Sequence, residues 1–575
     1  MSVRRVLVVV AAILAAPGTA LAGESQVVRV EVRTPVAVAA QAGRNVVFVS
    51  SAAENRILVL NGATREVIGS IARPAGGSPV ALAVDSQRDR LYDLDGALNR
   101  LIVRNAANGA VVSEIPLPTT PRAVALNPAT NRIYVTSSDA SGASFLSVID
   151  GASLLPLVTK ALPPSHARGI AIDASAKRIF VALSGTNRVA VLDAETHLTM
   201  QTLPTGSNPQ GVAVDATRLR VYVANRDGDA VTVLQPAQQG YTLVPGGITI
   251  PRGQTAVAVN DVTGRAYVAH TAPGLPSFPS SAPSGKLSVY ELDSATPTYR
   301  LVERITVAQG PGSLAVNLAN HRVFVASPGQ AAQRGGRIEG GAVAIVSKFD
   351  PLAHGFHFVN SFSGSIPLSV PGIGQVNLAN YAFGLCGGMS FGALDAYLAG
   401  GASPASTTPP LQLSPLFNYL YGRIKDSLLP NNAEVVRRYI KWMGIAVDDK
   451  DTVFGHVTGL RTRTRRAFLG EVHPQLAKGR PVPLGLVKVD LSSPPWKNHQ
   501  VLAIGDFKDS AGRWVVEVYD PNFPNQTTYL HIERRVQTYD PEGNNRVESR
   551  RWRGFFTIDY GAKQPYWIAP VHWPA

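Results

Sequence analysis

Cys386 is the only cysteine in a chain of 575 residues. It stands in Phe383-Gly384-Leu385-Cys386-Gly387-Gly388-Met389-Ser390, at the start of a run to Leu398. In that run Leu385, Met389, the 392–393 step and Ala396 recur three or four apart, a helical spacing that Gly400-Gly401 ends. A thiol at a helix N-terminus faces unpaired N–H groups and the positive end of the helix dipole, which favour the thiolate. Downstream, Lys497-Asn498-His499 reads as a loop that delivers a histidine onto a buried strand through Gly505. Trp514 to Tyr519 then reads as a strand that ends on Asp520-Pro521-Asn522. Thiol, imidazole and carboxylate in that order suit a nucleophile, its base and the group that orients the base. Each residue also has a plainer use. A lone cysteine can be core, a strand-end histidine can bond to backbone, and Asp before Pro forms a turn without any catalysis.

The elements that must hold these residues lie in the second half. All six tryptophans fall after residue 440. Helical patterns run over 414–429, from a cap at Asn431 or Asn432 to Met443 before Gly444, and over 462–476. Strand patterns follow from Pro481 to the end. Helices first and an antiparallel sheet afterwards is an α+β layout, assigned to residues 353–575.

Cys386 opening a helix, His499-Gln500-Val501-Leu502-Ala503-Ile504-Gly505 and Asp520-Pro521 together resemble papain-like cysteine peptidases, closest to bacterial forms related to double-glycine leader peptidases. The resemblance implies an amide-directed thiol hydrolase with Cys386 as nucleophile, His499 as base and Asp520 as orienter. It also implies an oxyanion donor six residues before the cysteine. The family usually has Gln there; this chain has Asn380, with Gln375 and Asn377 as alternatives. Losing one such donor costs about 10²–10³ in rate. Transglutaminase-like acyl transfer uses the same residue order. A non-enzymatic binding protein with a degenerate second domain is the reading that Asn380 favours.

The first half repeats itself. An Asp, Asn or Gln closes a strand and an aromatic follows seven residues later: Gln41 and Phe48, Asp85 and Tyr92, Asn127 and Tyr134, Asp173 and Phe180, Asp215 and Tyr222, Asn260 and Tyr267, Asn317 and Phe324. Seven units of about 40–45 residues with several short strands each predict an all-β, seven-bladed β-propeller over residues 27–349. Ile133-Tyr134-Val135-Thr136 and Val221-Tyr222-Val223-Ala224-Asn225 resemble the YVTN type of propeller repeat. The Val27–Val32 segment is placed to pair into the last blade and close the ring. The acids at the turns are expected to cap their own backbone. Inserts near 273–285 and 329–341 are candidate binding loops.

Met1 to Arg5 is basic, Val6 to Ala16 is apolar, and Ala20-Leu21-Ala22 is a small-x-small site. This predicts a signal peptide over residues 1–22, cut after Ala22, and a secreted or periplasmic protein. The apolar run is too short for a membrane span, and no later stretch is long enough. One cysteine excludes an intramolecular disulfide. The net charge is +14, with arginines clustered at 461–466 and 550–553, so an anionic surface is a possible partner beside a protein or peptide substrate. No nucleic-acid motif, cofactor motif or metal-ligand spacing is present. His354 and His357 lack a third ligand, and Asp448-Asp449-Lys450-Asp451 lacks the calcium-loop pattern.

Overall fold

The computed structural model describes residues 25–62, 65–271, 285–292, 298–318, 321–331, 338–339, 341–362, 367–372, 374–377, 385–453, 455–508, 512–532, 536–539 and 551–568. The segment 1–22 expected to be a signal peptide, most of the two inserts, and Asn380 lie outside the described residues.

Alternating apolar strands of six to nine residues dominate the first half. Pro35–Gln41, Val46–Ser51, Arg56–Asn61 and Val67–Ala72 pair antiparallel in sequence order as one sheet. Five further sheets of the same order follow up to Tyr299–Val307. The next combines Ser313–Asn317, Arg322–Ser327 and Ala342–Ser347 with the N-terminal strand Gln26–Glu31 as its outermost member. The closing strand foreseen over Val27–Val32 is therefore in place, shifted one residue toward the N-terminus. First strands of successive sheets pack on one another from Pro35–Gln41 round to Ser313–Asn317, which returns to Pro35–Gln41. This is a β-propeller-like repeat fold.

The repeat anchors have local and non-local jobs. Asp85 Oδ1 accepts from the Gln87 and Arg88 amides, Asn127 Oδ1 from Ala129 and Thr130, and Asp215 Oδ1 from Arg218. The residue four after each anchor, from Asn45 to His321, adopts a positive φ that completes the turn. The aromatics fill the gaps between neighbouring sheets: Tyr134 packs with Ile170 and Ile179 of the next one.

After residue 350 the pattern changes. α1 (Pro351–His354) is capped by Asp350, whose Oδ1 accepts from the Leu352 amide. α2 (Cys386–Leu398), α3 (Pro415–Leu428) and α4 (Pro430–Met443) follow. Ser414 caps α3 through its hydroxyl. For α4 the expected Asn cap is wrong: the helix begins at Pro430, whose fixed φ and missing N–H suit a first turn, so Asn431 and Asn432 lie inside it. The segment expected as one helix over 462–476 is α5 (Leu460–Ala467), a π-helical turn (Phe468–Val472) and α6 (His473–Leu476). A seven-stranded antiparallel sheet completes the region, in the order Arg551–Trp552, Val536–Tyr539, Thr528–His531, Trp514–Tyr519, His499–Lys508, Val482–Val487, Gly554–Thr557. No helix among the described residues is long and apolar enough to cross a membrane.

The two regions share a buried seam. Arg322, 1% exposed, donates to the Gly62 carbonyl in the propeller and to the Tyr397 carbonyl in α2, the latter at 2.9 Å. Tyr397 Oη donates to Ser347 Oγ, and Lys348 pairs with Glu517 at 3.1 Å. Phe349, His354, Tyr397 and Tyr519 pack ring against ring across the join.

Candidate active site

Cys386 is the first residue of α2, a helix buried on nearly every side. Its neighbours explain the glycines around it. A Cβ on Gly387 would lie 1.5 Å from Gln500 Oε1 and 2.3 Å from Ser427 Oγ, and one on Gly388 would lie 2.2 Å from the Leu420 carbonyl oxygen. Only glycine lets α2 approach α3 and the His499–Lys508 strand this closely. The entry to the helix is set by Asn360, whose Oδ1 accepts from the Leu385 amide at 2.8 Å.

His499 opens its strand and is fully buried, with Nε2 2.7 Å from Asp520 Oδ1. Asp520 follows the adjacent strand, and its turn is closed by the Asn522 amide on Oδ1 and the Phe523 amide on its carbonyl. With Nε2 engaged, Nδ1 is the nitrogen left to exchange a proton with a thiol. Burial alone would push the imidazole pKa down, but the charges of Asp520 and Cys386 on either side outweigh it and hold the ring up at about 9. His499 and Asp520, 21 positions apart, are in direct contact, and Cys386, 113 positions before His499, is close enough to act on the ring.

Four further residues serve this cluster. Trp552 stacks on the His499 ring at 5.8 Å and 16°. Tyr439 Oη donates to the His499 carbonyl at 2.8 Å. Its own pKa is raised well above the ordinary phenol value by burial and by the Cys386 charge, so it stays a neutral donor. Asn522 Nδ2 lies 3.3 Å from His499 Nε2. Asn360 ties the cysteine side to the acid side, because its N–H donates to the Pro521 carbonyl while its side chain reaches Leu385. Trp552 sits among arginines that drew notice only as charge, and Asn360 lies in an irregular stretch without periodicity, so sequence offered no signal for either.

The alternative oxyanion donor Gln375 is exposed on the Pro367–Val370/Gly374–Asn377 hairpin, paired with Ser369. Cys386 itself is 6% exposed and belongs to an apolar cluster with Phe468, Leu484 and Val501.

Other candidates have structural jobs. His354 Nδ1 accepts from the Asp350 amide, and no group of three metal-ligating side chains occurs among the described residues. Asp449 accepts from the Gly459 amide and the Thr462 hydroxyl, tying itself to the start of α5. Of the arginine clusters, Arg461 pairs with Asp448, while Arg553 donates to the Met443, Ile445 and Val489 carbonyls and so clamps loops together.

No family profile matches this sequence, and no curated protein matches it. Solved structures do. The Kuenenia stuttgartiensis hydrazine synthase is 15% identical, with a TM-score of 0.42 over 52% of this chain and 94% of that one. The Myceliophteria thermophila Cps50 (Swd1) β-propeller domain is 11% identical, with a TM-score of 0.43 over 56% and 98%. The RRP9 WD40 repeats are 13% identical, with a TM-score of 0.46 over 57% and 99%.

Proposed function

We propose that this chain is an exported thiol-dependent hydrolase, a seven-bladed propeller carrying a papain-like domain that acts on amide bonds of a protein or peptide. The propeller serves as the interaction module that presents the substrate or docks the enzyme. The observation that carries this reading is the His499–Asp520 contact of 2.7 Å, with Cys386 as the ring's second charge partner at a helix N-terminus.

The chemistry follows from the placement. Cys386 Sγ attacks the amide carbon, forming the S–C bond, while its proton resides on His499. The imidazolium returns that proton to the leaving amine as the C–N bond breaks. Water, deprotonated by His499, then cleaves the thioester and releases the acid and the thiol. Asp520 holds the tautomer and compensates the imidazolium charge.

The test is alkylation of native Cys386 by iodoacetamide across pH, with His499→Ala alongside. Labelling that is rapid at mildly acidic pH and lost in the histidine variant supports the pair, and a peptide screen follows. Slow labelling that the variant does not change sinks it.

The low exposure of Cys386 favours a second reading, a non-enzymatic propeller binding protein with a degenerate second domain. A native thiol inert to iodoacetamide at every pH up to unfolding selects that reading.

A further inference from the structure

The propeller has two faces. One face collects the turns after each first strand and carries the second region, through Arg322 to Tyr397 and through Arg265 to Asp350 at 3.6 Å. The other face collects the links between sheets. There, the first strands begin on irregular pairing: the register shifts between Pro121 and Ala123, Ala167 and Ile170, and Pro209 and Gly211. Arg122, Gln210 and the pair Arg168-Gly169 are left out of the ladder. A bulged residue is re-aimed away from the sheet, and these three bulges stand on consecutive inner strands around the ring.

Arg122 is held by Ser138, donating from Nε to Oγ at 3.0 Å and from Nη2 to the carbonyl at 3.3 Å. Arg168 is anchored by its own carbonyl, which accepts from Thr136 Oγ1 at 2.6 Å, while its Nε is buried and makes no hydrogen bond. Arg226 follows the Arg220–Asn225 strand, its backbone pinned by the Asn208 carbonyl and the Gly253 amide. Arg168 lies close enough to feel both other cations. Burial first, then Arg122 and Arg226, lower its pKa.

Several other cations of the propeller have a carboxylate partner. Arg73 pairs with Asp93 and Asp95, Arg178 with Asp193, and Arg252 with Asp229. Among the described residues no carboxylate lies within ion-pair distance of Arg122, Arg168 or Arg226. The nearby acids are occupied in their own loops: Asp139 by Ser141 and the Ala143 amide, Asp227 by Asn208 Nδ2. Three converging cations without a counter-charge repel one another, and a bound anion relieves that repulsion.

We infer that this face of the propeller, opposite the second region, holds a site for an oxyanion bearing two or more negative charges, gripped by Arg122, Arg168 and Arg226. The site is independent of the cysteine chemistry. A phosphorylated group and a polycarboxylate present the same oxygens, so the two sources are separated by probe.

The experiment is calorimetric titration of the full chain with inorganic pyrophosphate and, separately, with citrate at low ionic strength. Saturable one-to-one binding of at least one probe is expected. Arg168→Ala or Arg122→Gln should weaken it about tenfold or more, the worth of a charge-assisted bond. Arg252→Ala, on the same face but paired with Asp229, should leave it within about twofold. If Arg168→Ala does not fold, Arg226→Ala, whose side chain is exposed, reads the same grip. Tighter pyrophosphate than citrate assigns a phosphate ligand, and the reverse assigns a carboxylate. No saturable binding of either probe, or an equal loss in Arg252→Ala, overturns the site.

Discussion

Asp215 in the propeller and Asp520 in the second region use the same local device and end with different roles. Each closes a strand, and each accepts backbone amides of the turn that follows, Arg218 for one and Asn522 for the other. Asp215 spends its second oxygen on the Arg218 guanidinium three residues on, an entirely local pair. Asp520 is also placed against an imidazole 21 residues away, in a pocket where both groups are buried. The turn-former and the catalytic readings of Asp520 are therefore compatible. The turn fixes the carboxylate, and the tertiary structure gives it something to orient.

The sharpest way to break this contrast is Cys386→Ala. Complete loss of thiol labelling and of any amidase activity is expected with the far-UV circular dichroism intact; retained activity places the chemistry elsewhere. Next comes the paired substitution Asp520→Asn and Asp215→Asn. Asn can still accept the turn amides, so both proteins should fold. Asp520→Asn should lose activity by about 10²-fold or more because the imidazolium loses its counter-charge, whereas Asp215→Asn should keep it. Equal rates in the two variants would remove the distinction drawn here.

Stability effects are smaller. Gly387→Ala forces a Cβ into Gln500 and Ser427 and should cost about 1–3 kcal/mol, read as a lower Tm. The pH dependence has a definite sign. The folded pKa of His499, about 9, is above its unfolded value, so the stability from its protonation is fully present below pH of about 6.5 and is lost as pH rises through about 9. The wild-type Tm should fall over that window and the His499→Gln Tm should fall less. Smallest is Asp215→Ala, where one turn loses its acceptor at a cost of about 1 kcal/mol.

Much of the propeller was legible because its determinants are short in range. Strand alternation, the turn residue and the aromatic seven residues later recur within each unit, and every propeller sheet but the closing one is built from consecutive strands. The order of helices and sheet in the second region was legible for the same reason. Its boundaries erred where local rules compete, at Pro430 against Asn431 and at the π-helical turn that interrupts 462–476. The three central residues of the candidate site stood out by type and order. Asn360, Tyr439 and Trp552 did not, since nothing in their own neighbourhoods marks them.

The sequence by itself thus determined the repeat, its closing strand, the helical setting of Cys386 and the strand-end settings of His499 and Asp520, because periodicity and turn chemistry act over a few residues. Only the tertiary structure decided that Arg322 bolts the second region to one face of the propeller, that Arg122 and Arg168 stand on neighbouring inner strands, and that a tryptophan stacks on the histidine. Those contacts join residues tens to hundreds of positions apart. They depend on how sheets and helices close on one another, which no local pattern encodes.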